Sequence, residues 1–253
     1  MNQIVCPHPL IPIRSEPDHR SEQISQQLFG ETAQVIEKKG DWLKIKTDFD
    51  AYTGWTEEKS IQFIPNNQTL PDTQCVLTPL CILRTGNATV YIPAGSEIPS
   101  LHSNNTFIMG NKEYSLQNEL LAPKVSDRKN LIITSIQFLN SPYLWGGRTV
   151  FGFDCSGFVQ IVFKINGVKL MRDAKDQANQ GKEIDSLENA IPGDLLFFIG
   201  KEEKVSHTGI FLGDGKIIHA SVSVRIDKID RKGIYNSETK AYTHELHSIR
   251  RCF

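Results

Sequence analysis

The hydrophobic and polar residues of the first part of the chain alternate in short runs that are typical of β-strands. Residues 32–37 lead through Lys39-Gly40-Asp41 into residues 42–47, where apolar and polar side chains alternate. Such alternation predicts strands with one buried face, and the Gly-Asp pair predicts a hairpin turn between them. About five short strands over residues 1–65 therefore predict a small closed or sandwiched β domain.

A second β-rich segment spans residues 66–124. It begins with a polar, proline-bounded stretch at residues 65–71, which predicts a linker. Strand-like runs follow at residues 88–96 and 106–114, with a tight turn expected at Asn111-Lys112. The similar length and strand density of the two segments suggest a repeated β domain, although their residue identities barely match.

The pattern changes to helical spacing at about residue 126. Apolar residues recur at helical intervals over residues 127–139, with Ser126 or Asp127 as the expected N-cap, and again over residues 156–165. Three strand-like runs come after Pro192, and the last two are joined by a turn at residues 213–215. Helices first and strands afterwards predict an α+β domain over residues 125–253.

Composition and charge narrow the classes of partner. The 253 residues are 39% hydrophobic and 23% charged, with a formal net charge of −1. Without a basic excess, we expect neither nucleic acid nor an anionic membrane as the main partner. No run approaches the roughly 18 apolar residues that span a bilayer. The N-terminus lacks the features of a secretory signal, so we expect a cytoplasmic protein; a periplasmic or extracellular location is expected only if a signal peptide has been removed.

Cys155 lies where a nucleophile is expected. It follows a glycine-rich loop and stands at the start of the second helical segment, and a helix N-terminus lowers a thiol pKa towards about 3.5–7.5. The alternative is a buried, inert cysteine. That alternative fits the other four, which are Cys6, Cys75, Cys81 and Cys252. An odd, dispersed set of five cysteines favours free thiols in a reducing compartment over a disulfide framework.

His207 and His219 supply a candidate base and its orienting group. They are equidistant from residue 213 in the glycine turn, so a hairpin centred there would place them opposite each other. One imidazole could then accept the thiol proton of Cys155 while the other holds its tautomer. The spacing alone also allows two structural histidines. A zinc site is disfavoured because the ligand spacings CxxC and HExxH are absent, and we expect no metal or cofactor.

The residues around this constellation resemble the NlpC/P60 cysteine peptidases. The matching blocks occur in family order across roughly residues 125–253; they are residues 142–147, 152–158, 172–174, 192–198, 207–213 and 218–221. The resemblance implies a papain-like catalytic domain with Cys155 as nucleophile, His207 as base and His219 as the third, polar member. It places Tyr143 near the nucleophile, where its hydroxyl would stabilise the oxyanion; a packed aromatic ring is the alternative.

One loop departs from the family pattern. The family has proline at the first position of a Pro-Arg-Asp motif, and this chain has Met171-Arg172-Asp173. The resemblance matches Asp173 to a family acid, for which cleft lining and structural pairing are both open.

The two β domains resemble bacterial SH3 (SH3b) domains. Their arrangement is similar to the NlpC/P60 subgroup that cleaves γ-D-glutamyl–meso-diaminopimelate bonds in peptides with a free N-terminal L-alanine. In that subgroup the first SH3b domain helps to bind the substrate α-amine. The resemblance implies this role for Asp154, Ser156, Tyr52 and Glu22. The alternatives are a helix cap for Asp154, a core position for Tyr52 and a solvated charge for Glu22.

The resemblance thus implies a monomeric endopeptidase that acts on peptidoglycan stem peptides, in the recycling of muropeptides. Whether the diamino acid is diaminopimelate or lysine is open. The alternatives are another peptidoglycan amidase or endopeptidase specificity, a papain-like acyltransferase, and a catalytically silent SH3b protein that binds wall peptides.

Overall fold

The chain divides into two units, Met1–Pro123 and Lys124–Phe253, in the computed structural model. The structure describes residues 3–65, 73–99, 101–102, 104–117, 127–200 and 203–253. The predicted linker between residues 65 and 71, the predicted boundary at residues 124 and 125, and the candidate cap Ser126 lie outside these ranges, apart from Pro65. Each unit is described by itself.

The alternating segments of residues 1–65 form one antiparallel sheet. Its strands are β1 (Gln3–Val5), β2 (Leu10–Arg14), β3 (Gln23–Leu28), β4 (Thr32–Lys39), β5 (Trp42–Thr47), β6 (Thr53–Glu57) and β7 (Gln62–Phe63). Their spatial order is β3-β2-β6-β5-β4-β1-β7. The predicted hairpin joins β4 to β5, with Lys39 opposite Trp42. Gly40 takes the positive φ, 58°, that such a tight turn requires.

The second segment adds shorter strands to the same unit. They are β8 (Thr73–Cys75), β9 (Leu80–Thr85), β10 (Ala88–Pro93), β11 (Glu97–Pro99), β12 (Thr106–Met109) and β13 (Lys112–Leu116). Strands β10-β9-β13-β12 form one sheet, and β11 pairs with β8. The turn between β12 and β13 is the predicted one, although Gly110 and Asn111 occupy it and Lys112 already pairs with Met109.

The two β segments share a hydrophobic core. Phe29 of the first segment packs edge-on against Phe107 and Tyr114 of the second, with ring centroids 6.3 and 5.5 Å apart. The backbone N–H of Glu97 donates to the carbonyl of Phe29 at 2.8 Å. The predicted domains of residues 1–65 and 66–124 are therefore packed together through buried side chains.

The C-terminal unit places its helices before most of its strands. Its elements are α1 (Arg128–Ile136), β14 (Arg148–Thr149), β15 (Gly152–Phe153), α2 (Cys155–Ile165), α3 (Ala174–Gln177), β16 (Lys182–Ile184), β17 (Leu195–Ile199), β18 (Val205–Gly213), β19 (Lys216–Ser221), β20 (Ser223–Asp230), β21 (Gly233–Asn236) and β22 (Ala241–Arg251). The large sheet has the order β16-β22-β17-β18-β19-β20-β21. Because β22 pairs with both β17 and β21, strands β17 to β22 close into a six-stranded barrel.

The predicted helices form close to their expected positions. Asp127 caps α1, its Oδ1 accepting the N–H of Asn130 at 2.7 Å. The second predicted helix begins one residue earlier than expected, at Cys155, and ends at Ile165. The described chain is mostly β, and the detailed papain-like arrangement stays a prediction.

Candidate active site

Cys155 is the first residue of α2, and Asp154 links the loop before it to the N-terminus of this helix. The side chain of Asp154 is the N-cap: its Oδ1 accepts the N–H of Gly157 at 2.7 Å. Its Oδ2 accepts the N–H of Gly146 at 2.9 Å. Gly146 has a φ of 73°, which only glycine adopts without strain. The glycine-rich loop and the nucleophile are therefore positioned by one carboxylate.

A buried arginine, Arg172, also binds the Asp154 carboxylate. Arg172 is 1% exposed; its Nη1 donates to Asp154 Oδ1 at 3.0 Å and its Nη2 donates to Oδ2 at 2.5 Å. Nη1 also donates to the hydroxyl of Ser156 at 2.9 Å, and that hydroxyl donates to Asp154 at 3.3 Å. Five hydrogen bonds thus reach the two oxygens of Asp154, about as many as an ionised carboxylate accepts. The structure gives both residues a structural role, and their contact with a substrate amine stays a prediction.

A hydrogen bond at Met171 explains why this chain lacks the proline that the family pattern has at that position. The backbone N–H of Met171 donates to Oε1 of Gln180 at 2.7 Å. Proline has no N–H and would break this bond. The loop is thus held by a side-chain acceptor where the family pattern has a rigid residue.

The two predicted histidines meet, although not as directly opposed residues. Nε2 of His207 lies 2.8 Å from Nδ1 of His219. The observed register pairs Ile210 with Ile218, which sets His219 beside Gly209. The prediction of direct pairing is wrong because the turn is centred on Asp214 and Gly215. A two-residue shift keeps both side chains on one face, so the imidazoles touch diagonally.

Two further residues that the sequence did not single out complete the cluster. Oδ2 of Asp227 on β20 lies 3.0 Å from Nε2 of His219. The ring of His244 on β22 stacks on His207, with centroids 4.1 Å apart and planes at 24°. Asp227 lies on the strand that directly follows the one carrying His219, and no strand was predicted there. His244 had no signal in the sequence, because only the closure of the barrel brings β22 to this site.

A cavity of about 320 Å³ opens at this cluster. Its lining consists of Tyr143, Cys155, Ser206, His207, Ala220, Ser221, Val222 and His244. The Cys155 thiol lies 3.9 Å from the carbonyl oxygen of Ser206, the residue before the base. Burial, together with the nearby Cys155 and Asp154, raises the pKa of Tyr143, so its phenol stays a neutral hydrogen-bond donor beside the nucleophile. The cavity therefore brings together the Cys155 thiol, the His207 imidazole and the Tyr143 phenol.

The thiol and the imidazole are both held in their neutral forms. Burial and the charge of Asp154 raise the pKa of the Cys155 thiol to about 12, against backbone hydrogen bonds from Thr208 and Ser156. Burial, with His219 and His244 nearby, lowers the pKa of His207 well below its ordinary value. These directions oppose the low thiol pKa expected at a helix N-terminus. The proton must then leave sulfur as the sulfur attacks.

The remaining predicted residues are Asp173 in the C-terminal unit and Tyr52 and Glu22 in the N-terminal unit. Asp173 precedes α3, where its carbonyl accepts the N–H of Gln177 and its carboxylate lies 3.8 Å from Lys175 Nζ, which favours structural pairing. Tyr52 and Glu22 belong to the N-terminal unit. Tyr52 is half-buried and its N–H donates to Thr47 Oγ1 at 2.9 Å, whereas Glu22 is exposed. Their roles in binding stay predictions.

The part of the chain that the structure describes holds no cluster of three or more histidine, cysteine or acidic side chains suited to a metal ion. Within the same residues, no helix is long and apolar enough to cross a membrane. All five cysteines are free thiols.

A cysteine at a helix N-terminus, beside a histidine that is oriented by a second polar group, defines a cysteine peptidase site. The NlpC/P60 family description matches residues 140–250, and the bacterial dipeptidyl-peptidase SH3 domain matches residues 13–61. The chain is 32% identical to the γ-D-glutamyl-L-lysine dipeptidyl-peptidase of Bacillus subtilis (strain 168), over 90% of this chain and 81% of that protein. The chain belongs to the NlpC/P60 family of cysteine peptidases.

Other similarities agree with this assignment. Dipeptidyl-peptidase 6 of Lysinibacillus sphaericus is 26% identical over 86% of this chain and 88% of its own length. The crystal structure of an NlpC/P60 family protein from Bacillus cereus ATCC 10987 superimposes with a TM-score of 0.85, covering 99% of both chains at 22% identity. At 22% identity, the similarity to this crystal structure establishes the fold alone.

Proposed function

We propose that this peptidase hydrolyses the γ-D-glutamyl–diamino acid bond of peptidoglycan stem peptides that begin with a free L-alanine. The observation that carries the proposal is the single cavity that joins Cys155, His207 and Tyr143. Similarity to dipeptidyl-peptidases across most of the chain supports the choice of bond. The SH3 domain of residues 13–61, described as that of bacterial dipeptidyl-peptidases, supports it as well.

The reaction follows from the neutral thiol–imidazole pair. As Sγ of Cys155 attacks the γ-carbonyl carbon of D-glutamate, His207 accepts the thiol proton and the carbonyl oxygen becomes an oxyanion. The Tyr143 hydroxyl and backbone N–H groups stabilise that oxyanion. The C–N bond then breaks, and His207 gives its proton to the leaving amine of the diamino acid. A water molecule, deprotonated by His207, hydrolyses the thioester and restores the thiol.

Recognition of the free amine is the least direct step. The resemblance assigns it to Asp154, Ser156, Tyr52 and Glu22, whereas the structure binds the first two to Arg172. The variants Tyr52→Phe and Glu22→Gln test the other two. If either residue holds the ammonium, its variant raises KM for the free peptide and leaves the N-acetylated peptide unchanged. Equal effects on both peptides contradict the assignment.

Defined peptides test the proposed bond. The chain is incubated with L-Ala-γ-D-Glu-diaminopimelate, with its L-lysine counterpart and with the N-acetylated form of each, and products are followed by mass spectrometry. We expect the free peptides to release L-Ala-γ-D-Glu much faster than the N-acetylated peptides release its acetylated form, and we expect no release by the Cys155→Ala variant. Cleavage at another bond, or transfer of the acyl group to an added amine without hydrolysis, overturns the proposal. The ratio of the two free peptides identifies the preferred diamino acid.

We also propose that the protein acts as a monomer in the cytoplasm, in the recycling of muropeptides. Light scattering tests the monomer, and fractionation of cells that express the full native gene tests the location. A dimer at working concentration, or recovery outside the cytoplasm, contradicts these two points without affecting the chemistry.

A further inference from the structure

The carboxylate of Asp227 extends the hydrogen-bonded pair of His207 and His219. Asp227 lies on β20, two residues after the partner of His219 in the β19–β20 register, Arg225. Its side chain is 6% exposed and that of His219 is 1% exposed. Arg225 holds the carboxylate from the far side, with Nε 2.9 Å from Oδ2 and Nη2 donating to Oδ1 at 3.1 Å. Four side chains thus form one line from β20 to the base: Arg225, Asp227, His219 and His207.

The chemistry of these groups fixes where each proton lies. Burial alone would raise the pKa of Asp227, but hydrogen bonds from His219 and Arg225 hold it below its ordinary value, so the carboxylate is ionised. An ionised carboxylate can only accept hydrogen bonds. Nε2 of His219 must therefore carry a proton, and Nδ1 of a His219 ring with that single proton can only accept. Nε2 of His207 must then donate to it at 2.8 Å, and Nδ1 of His207 keeps the lone pair.

We propose that Asp227, held by Arg225, is a positioning residue of this peptidase that sets the tautomers of His219 and His207 and leaves Nδ1 of His207 as the base. Asp227 itself touches neither the substrate nor the thiol. Its charge also stabilises the imidazolium that forms when His207 takes the thiol proton, through the ring of His219. Among the described residues, the other charged or titratable groups that face this line are Cys155, His244 from β22 and Glu238, which lies 3.3 Å from Arg225.

A purely structural ion pair between neighbouring positions of β20 is the competing explanation, and the two predict different measurements. Nitrogen-15 NMR of histidine-labelled wild-type protein reports directly which ring nitrogens carry protons. We expect Nε2–H on both His207 and His219. A proton on Nδ1 of His219 overturns the proposal whether or not any variant folds.

The variant Asp227→Asn provides the functional arm. Its amide can donate to His219 Nε2 and so permits the reversed tautomer, and loss of the corresponding carboxylate in a serine protease triad lowers kcat by about 10⁴-fold. We expect kcat to fall by about 10²- to 10⁴-fold with a much smaller change in KM, and Asp227→Glu to recover part of the loss. Asp230→Asn is the matched control: it makes the same charge change on β20, where the carboxylate accepts from Tyr242 and Lys232 instead of a histidine.

The measurement of turnover in Asp227→Asn rests on the proposed function. A second measurement distinguishes a failure of this inference from a failure of the proposed function. The rate at which iodoacetamide alkylates Cys155 depends on proton removal by His207 and needs no peptide substrate. We expect slower alkylation of Asp227→Asn than of Asp230→Asn, even if the chosen peptides prove to be the wrong substrates. A folded Asp227→Asn protein with wild-type tautomers, wild-type alkylation and undiminished turnover shows that the ion pair is structural only.

Discussion

Replacing Asp154 by asparagine separates a structural role from a substrate-binding role for this residue. The amide keeps the size of the carboxylate and one acceptor oxygen for the cap of α2, but it removes the charge opposite Arg172. That guanidinium is 1% exposed and contacts both oxygens of Asp154. Removing one partner of a buried ion pair costs about 3–5 kcal/mol, because the other charge is left buried and unpaired. We expect a loss of that size in the free energy of unfolding of the C-terminal unit.

Urea titration of the full chain measures the loss, with hydrogen-exchange mass spectrometry of peptides from α2 reporting the unit that contains Asp154. Asp173→Asn is the control from the same predicted set. Its carboxylate is one-third exposed and lies 3.8 Å from Lys175, so its loss costs at most about 1 kcal/mol. Turnover of the free and N-acetylated peptides is then compared under conditions where each variant is folded.

The two roles give opposite results. If Asp154 is structural, Asp154→Asn destabilises the unit and changes the turnover of both peptides by the same factor. If its main role is to hold the substrate ammonium, the free energy of unfolding of the variant stays within about 1 kcal/mol of the wild-type value, and only cleavage of the free-amine peptide is lost. The second outcome refutes the reasoning from the buried ion pair.

Four further predictions follow from the same structure. Because His207 takes the proton of the neutral Cys155 thiol during attack, alkylation by iodoacetamide should proceed at a nearly constant rate between about pH 7 and 9, where both groups stay neutral. A tenfold rise per pH unit would show that only the free thiolate reacts and that His207 takes no part. Burial lowers the pKa of His244 to about 4 in the folded state. The contribution of this residue to the free energy of unfolding is therefore fully present above the unfolded pKa near 6.5 and is lost as the pH falls from there towards about 4. His244→Phe, which keeps a stacked ring, should flatten that decline in urea titrations, and an unchanged slope counts against this cause. Met171→Pro removes the donor to Gln180 and should cost about 1 kcal/mol or more relative to Met171→Leu in the same titration; equal stability would show that the bond contributes nothing. Val222 lines the cavity with a φ of 66° and 84% exposure, so Val222→Gly should raise stability by about 1 kcal/mol, and a loss would show that its side chain stabilises the turn.

Local patterns predicted the elements that depend on neighbouring residues. The cap at Asp127, the hairpin at Gly40 and the start of α2 near Cys155 each rest on contacts within a few positions, and all three form. The register of β18 and β19 is different in kind. The turn at residues 213–215 offers two possible centres, and a shift by two residues leaves the same side chains on the same face. Alternation therefore predicted that His207 and His219 share a face but could not fix which residues pair.

Chemical motifs likewise predicted the thiol and the imidazole that line the cavity, but not which charged groups are bonded to the residues around them. Asp154 illustrates the reason, since a carboxylate beside a nucleophile serves equally well as a helix cap, as an ion-pair partner or as a receptor for an ammonium. The choice is made by Arg172, which reaches Asp154 from 18 positions later in the chain. A guanidinium that is almost fully buried must be neutralised, and the two oxygens of Asp154 and the hydroxyl of Ser156 face it. Any substrate ammonium must therefore compete with a buried guanidinium for the same oxygens, which makes acceptors outside this pair the better candidates for recognising a free N-terminus.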